Sequence, residues 1–503
     1  MNKFFNNPRF FTVCILTILL LGSFLRFYRI REYMAFLGDE GRDVLVVKRM
    51  IVDHKFTLLG PITSVGSMYM GPAYYYLMLP FLWLSGLDPV GPSIMVAIFA
   101  VCTVYLVYRI GRDFFHPWVG ITASFLYAIS PLTIQYGRSS WNPNVVPFFS
   151  GLLIYGLLQT IIHKKYNWLF VAGICLGIVI QLHYVTLLFI PMIVISLFVA
   201  RTRVPLKYIV GLIGFSLIGY SPFLIFELRH GFVNTLAVIR FVGEGHSGGA
   251  FPILNIAQIV NDVLVRIFWR LLVIENAELT KGIILVIAAV LSVRYMKLKT
   301  TTDERKSFVL VLIWLITGLL SFGFYRGVIY DYYFGSLFII PFLLFSLSIV
   351  TLFQKSYFWK ITSFLIFIAV VFFSVIHSPL LMEPNNLVRN TENVARFVYD
   401  KVDGKPYNFA LIATHNSDHA YKYFLEVWGR PSVTIEPPAV DPNRTSVTEQ
   451  LIVVCEEKVC SPLGHPLWEI AGFGSAQIKD EWSIGTVKIF RLIPLTEKDG
   501  TTS

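Results

Sequence analysis

The chain has 503 residues, 55% of them hydrophobic and 16% aromatic, and only 15% are charged, where a soluble protein carries roughly 25%. With a mean hydropathy of +0.65, that composition excludes an ordinary soluble enzyme and points to a polytopic membrane protein. The net charge of +11 is not a sign of nucleic-acid binding, because most of the excess sits in short loops suited to a cytoplasmic face against anionic lipid.

Eleven apolar blocks are about long enough to cross a hydrocarbon core as helix: about 10–25, 91–110, 117–135, 145–162, 167–183, 184–200, 207–226, 281–296, 307–325, 333–352 and 361–377. Helix is the expected form, since an isolated strand leaves its backbone unsatisfied in lipid. The first block lacks a small-residue cleavage site and runs into LRFYRIRE, which predicts an uncleaved anchor. Basic connections at Arg109 with Arg112, His163-Lys164-Lys165, Arg201 with Arg203 and Lys207, Arg294 to Lys306, and Lys355 with Lys360 are expected to stay cytoplasmic. That places 136–144, 181–184, 227–280, 326–332 and everything after 378 outside. The apolar stretch 71–86, GPAYYYLMLPFLWLSG, is read as a helix at the outer interface or entering the bilayer partway. Counting it as a crossing puts Asp39 and Glu40 on the side opposite the other polar loops, given Lys3 and Arg9 at a cytoplasmic start.

The outer segments hold the candidate chemistry. Residues 26–70 read as short amphipathic helices around FLGDEGRD, followed by Lys48 and Arg49, and they hold seven Lys or Arg. That excess strains the positive-inside rule unless some of these side chains bind phosphate. Asp39 and Glu40 read equally as a solvated helix N-terminus, where acids complement the dipole, or as working acids at a membrane surface, where charge is costly otherwise. In QYGRSSWNPN, 135–144, Arg138 suits a phosphate oxygen, and Trp141 with Pro143 suits a sugar or prenyl contact. A snorkelling arginine beside an interfacial tryptophan is the bland alternative. QLHY, 181–184, brings Gln181, His183 and Tyr184 to a tight outer turn, and YRGVIYDYY, 325–333, brings Arg326, Asp331 and Tyr332 to the mouth of a later block. The long connection 227–280 contains GEGHSGGA at 243–250, expected to be mobile. Its apolar stretch 252–273 has Arg266 and Arg270 four apart, as in a helix lying on a membrane surface.

The order of first span, acidic pair in a long outer loop, proline-aromatic segment, R-x-x-W-N-P-N loop and long late outer loop resembles the membrane domain of family 39 glycosyltransferases. That group includes protein O-mannosyltransferases and lipid A aminoarabinose transferases, and the resemblance spans about residues 8–380. It implies the GT-C fold and an inverting transfer of a sugar from a polyprenyl-phosphate donor to an acceptor hydroxyl at the outer face of the membrane. The acceptor is a protein, a lipid or a glycan. On it, Asp39 and Glu40 match the acidic motif that deprotonates the acceptor, while Arg138, Arg326 or Arg42 stabilises the departing phosphate. Trp141, Asn142, Asn144, His183, Tyr184, Asp331 and Tyr332 are the expected substrate pocket. Two departures stand out. Met70-Gly71-Pro72 occupies the place where relatives carry a basic or histidine residue, and Asn142 and Asn144 stand where some relatives place an acid. Asparagine accepts a hydrogen bond but takes no proton, which concentrates the base role on the first loop. A divalent metal is left open: Asp39, Glu40 and His183 are candidate ligands, but no spacing resembles a closed zinc site.

Two domains are expected, 1–377 in the membrane and an extracytoplasmic α/β domain over 378–503. In the latter YNFALIAT and QLIVVCEE read as buried strands, HAYKYFLEVWG as a helix and WSIGTVKIFRLI as an edge strand. Cys14, Cys102 and Cys175 read as packing residues, whereas Cys455 and Cys460 are either a disulfide or two free thiols. The competing function is a lipid or glycolipid transporter, which has the same helical composition but commonly shows internal repeats; none is seen here.

Overall fold

The structure, a computed structural model, describes residues 7–63, 68–244, 253–272, 276–323, 325 and 327–495. From Gly245 onward, the glycine-rich segment expected to be mobile lies outside the described residues. The chain forms two compact units: Met1–Ile30, Lys55–Phe81 and Val90–Pro384 in the first, Arg31–His54, Leu82–Pro89 and Asn385–Ser503 in the second.

The first unit is helical, and each of the eleven apolar blocks is helix. Among the described residues seven helices are long and apolar enough to cross a membrane, and an eighth crossing arises if Asp331–Leu337 and Ile339–Phe353, bent by 60°, count as one span. The remaining blocks are shorter apolar helices such as Pro117–Ile129 and Trp168–Leu182. The helix Ala73–Leu84 has 12 residues and rises about 18 Å, well short of the roughly 30 Å core.

Small residues set the closest helix contacts. Gly173 and Gly177, four apart on Trp168–Leu182, face Leu206–Arg229, where a Cβ on Gly177 would stand 2.8 Å from the Tyr220 nitrogen. Small residues at this spacing let apolar helices approach where lipid offers no hydrophobic drive. At Ser130, Pro131 interrupts the helix because it has no N–H for the Tyr127 carbonyl. The buried Arg26 and Thr133 take over: Thr133 Oγ1 donates to Tyr127 O at 2.6 Å, and Arg26 Nη1 donates to Ala128 O at 3.0 Å.

Within the stretch 252–273 the described residues form the expected helix, Ile253–Leu272. It is more than a surface helix, because Val263, Ile267, Phe268, Leu271 and Leu272 are buried against Asp303–Gly323 and Ala277–Lys297.

The second unit is built on a sheet of β1 (Asn408–Ile412), β2 (Leu451–Cys455), β3 (Ala476–Ile484) and β4 (Val487–Pro494), in the order β1-β2-β4-β3. β1 runs parallel to β2, and the other pairs are antiparallel. Every residue of β1 and β2 is buried, which is why they read as continuous apolar runs. WSIGTVKIFRLI is not one edge strand. It turns at Gly485-Thr486, where Gly485 has φ of +59°, the conformation glycine supplies at the first central position of a two-residue hairpin. β4 is therefore interior and β3 is the edge. Cys455 and Cys460 are disulfide-bonded.

Helix Gly38–Val52 belongs to this unit and packs on His419–Val427. Beneath it Phe36, fully buried, meets Tyr423 and Phe424 edge-on at 6.1 and 5.6 Å between ring centres.

Candidate active site

The acidic pair divides its work. Glu40 is 7% exposed and its Oε2 accepts from the Leu37 N–H at 3.0 Å, the return half of a capping box. Burial pushes its carboxyl up to about 7, against the opposing pull of the Leu37 N–H. Asp39, one residue earlier, keeps 54% of its side chain exposed while Oδ1 accepts from Arg42 Nη1 at 2.9 Å. Arg42, expected as a phosphate ligand, also donates from Nε and Nη2 to the fully buried Asp43 at 3.0 and 2.9 Å. It is a bridge between two carboxylates. Glu40 thus serves as helix cap, and Asp39 is the exposed acid of the pair.

The Glu40 shift makes a prediction. Its folded value lies above the unfolded reference of 4.5, so the folded state holds the proton more tightly. The associated stability is complete below the unfolded value and is lost as pH rises through the folded one. In thermal melts of detergent-solubilised protein, the stability of the wild type relative to Glu40→Gln is expected to fall between pH 4.5 and about 7 and then level off. A difference that stays flat across that window excludes a buried, proton-holding Glu40.

The second set of residues lies in the first unit, on the late loop and its neighbours. Asp331 accepts from two arginines of Ile253–Leu272, Arg266 Nη2 at 2.8 Å and Arg270 Nε at 2.7 Å. Arg266 Nη1 also pairs with Asp262 Oδ2 at 3.4 Å, so two guanidiniums meet two carboxylates in this group. Beside it Tyr332 packs on Trp141 with ring centres 4.3 Å apart, and His183 lies 4.6 Å from Tyr333 and 6.2 Å from Tyr332. Tyr332 and Asn144, with Tyr136, Phe338, Thr103 and Thr133, are among the residues lining a narrow cleft.

Other expected site residues are occupied by the fold. Arg138 is 1% exposed, and its Nη1 and Nη2 donate to the carbonyls of Leu25 and Tyr28 at 2.8 and 2.6 Å, at the end of helix Pro8–Phe27. Asn142 Nδ2 donates to Leu182 O at 2.6 Å, and Asn144 Nδ2 to Ser139 O at 2.8 Å, which folds the W-N-P-N turn. Tyr184 donates to the Tyr69 carbonyl and accepts from Asn234 Nδ2 at 2.7 Å. Arg326 lies outside the described residues. Among the described residues no group of three or more His, Cys, Asp or Glu is placed to hold a metal ion.

The pairing of Arg266 and Arg270 with Asp331 was not foreseen, although their four-residue spacing on an amphipathic helix was the available signal. Asn416, whose Oδ1 accepts from the Gly38 N–H at 2.9 Å, carried no signal in the sequence.

The sequence profile of dolichyl-phosphate-mannose-protein mannosyltransferases matches residues 70–226. No curated protein sequence matches the chain significantly. ArnT from Cupriavidus metallidurans, solved bound to undecaprenyl phosphate, superimposes with a TM-score of 0.61 at 11% identity, covering 97% of this chain and 98% of that one. Its apo structure gives 0.61 at 13%, covering 96% and 97%. The archaeal oligosaccharyltransferase AglB from Archaeoglobus fulgidus, in complex with an inhibitory peptide and a dolichol-phosphate, gives 0.52 at 13%, covering 88% of this chain and 69% of that one.

Proposed function

From the premise that this is a multi-pass membrane protein of GT-C fold resembling O-mannosyltransferases and ArnT, we propose that it is an inverting glycosyltransferase. It moves a sugar from a polyprenyl-phosphate donor to an acceptor hydroxyl at the outer face of the membrane. The observation that carries this reading is Asp39, an exposed carboxylate on the first turn of a helix whose neighbouring acid is already spent as its cap.

Asp39 takes the proton of the acceptor hydroxyl as its oxygen attacks the anomeric carbon. The bond from that carbon to the phosphate oxygen breaks, its electron pair leaves with the polyprenyl phosphate, and the configuration inverts. The growing charge on the phosphate needs a cation in place beforehand. Arg270, whose side chain is half exposed beside Asp331, is the candidate cation; Arg326, five residues before Asp331 in the sequence, is a further one. Trp141 and Tyr332 present the aromatic faces a sugar ring or prenyl chain packs on.

The decisive assay incubates purified protein with radiolabelled undecaprenyl-phosphate hexoses and pentoses and isolated cell envelopes. Transfer of label to envelope material supports the enzyme. Movement of the lipid across proteoliposomes without transfer supports a transporter in its place.

The basic short loops support the outer-face reading, as does the Cys455–Cys460 disulfide, which suits an oxidising compartment. After Cys14, Cys102 and Cys175 are replaced, a cysteine at the exposed Ser475 is expected to react with an impermeant maleimide in intact cells. One at the exposed Thr301 is expected to react only after lysis. The reverse pattern overturns the orientation.

A further inference from the structure

The turn that carries Asp39 is held by a stretch of chain 378 residues further on. Asn416 is the link. Its Oδ1 accepts from the Gly38 N–H and the Ser417 N–H, each at 2.9 Å, and its Nδ2 donates to the Glu456 carboxylate at 2.9 and 3.1 Å. Glu456 follows β2 directly, with its N–H on the Ile412 carbonyl at 3.0 Å, and it also accepts from Tyr421 Oη at 2.6 Å. A continuous path of hydrogen bonds thus runs from the sheet through Glu456 and Asn416 to the residue before Asp39.

Shape reinforces this path. A Cβ on Gly41 would overlap the Ala420 backbone and stand 2.7 Å from the His419 carbonyl carbon, and one on Gly38 would stand 2.8 Å from the Ser417 nitrogen. Glycine inside a helix is unfavourable relative to alanine, so Gly41 is explained by the close approach it permits. At the other end of the helix, Glu426 accepts from Lys48 at 3.2 Å and from Arg49 at 3.1 and 2.8 Å. The helix is therefore fixed at both ends, and its first turn is fixed on the side next to Asp39.

Resting on the reading of Asp39 as the base, we infer that Asn416 is a positioning residue for the reaction. The C-terminal chain serves transfer by fixing the direction of the acid. A base works only within hydrogen-bond reach of the proton it takes, and a displacement of about 1 Å can cost about a hundredfold in rate. Releasing the Gly38 amide allows a displacement of that size while leaving donor binding alone.

Asn416→Ala is expected to lower kcat at least about tenfold with the half-saturating donor concentration unchanged, on any labelled undecaprenyl-phosphate sugar the wild type uses. Hydrogen exchange at the amides of residues 38–41 is expected to quicken in the same variant. Asn416→Asp keeps both accepted bonds but sets a second carboxylate against Glu456, so it should be impaired too. Combining it with Glu456→Gln exchanges donor and acceptor across the same contact and should restore kcat to within about threefold of wild type. If Asn416→Ala does not accumulate in membranes, the Asp variant and its rescue carry the test. Normal kcat in Asn416→Ala, or no rescue by Glu456→Gln, overturns the positioning role. Asp39→Asn, run alongside, separates the two ideas. If it is inactive while Asn416→Ala turns over normally, only the positioning role falls. If it is fully active, the base reading falls, and the positioning role that rests on it falls with it.

Discussion

Asp39→Asn is expected to insert and accumulate normally and to lose transfer by about a hundredfold or more, the loss typical when a general base is removed. The amide keeps the shape of the side chain and still accepts from Arg42, whose Nη1 now reaches Asp39 Oδ1 at 2.9 Å. That surface pair, half exposed on the acid's side, contributes at most about 1 kcal/mol, so stability should barely change. Glu40→Gln provides the contrast. Its amide oxygen can keep the bond from the Leu37 N–H, and because Glu40 is buried as a cap, turnover should fall far less than in Asp39→Asn. The measurement is initial rate of label transfer from a polyprenyl-phosphate sugar, normalised to membrane-inserted protein. Full activity in Asp39→Asn leaves the reaction without its base and sinks the mechanism. A larger loss in Glu40→Gln than in Asp39→Asn reverses the roles of the two acids.

The helices were legible because apolar length is a local property: each apolar block contains enough Leu, Ile, Val and Phe to fix its own state, and all eleven are helical. β1 and β2 were legible for the same reason, as short apolar runs. The hairpin of β3 and β4 was read as one strand because Gly485-Thr486 is a weaker turn signal than Asn-Gly or Asp-Gly. The division of labour between Asp39 and Glu40 was not legible. The usual capping box begins with Ser or Thr, and here the residue three before Glu40 is Leu37, which has no side-chain acceptor. Nor could local pattern join residues far apart in the chain, as Arg266 and Asp331 are, or Gly38 and Asn416. The sequence does mark the consequence of the second pairing, in two glycines flanking an acidic pair, but glycine spacing says only that something comes close. It does not say what.

The arginines give the sharpest separation between binding and support. Arg270→Ala removes the half-exposed cation beside Asp331 and leaves Arg266 held between Asp331 and Asp262. A hydrogen bond to a charged group contributes about 1.5–3 kcal/mol, so donor half-saturation should rise by about tenfold to a hundredfold at normal protein abundance. Arg138→Ala should behave in the opposite way. Its guanidinium is buried on the carbonyls of Leu25 and Tyr28, and deleting it strands both acceptors at a cost of about 1–3 kcal/mol each. Less protein should then reach the membrane, while the fraction that folds keeps the ordinary dependence on donor. Both are read by titrating the labelled donor against membranes matched for inserted protein. If Arg138→Ala weakens donor use at normal abundance while Arg270→Ala does not, the phosphate sits at Arg138, beside the end of the first helix, and the arginines at Asp331 serve some other purpose.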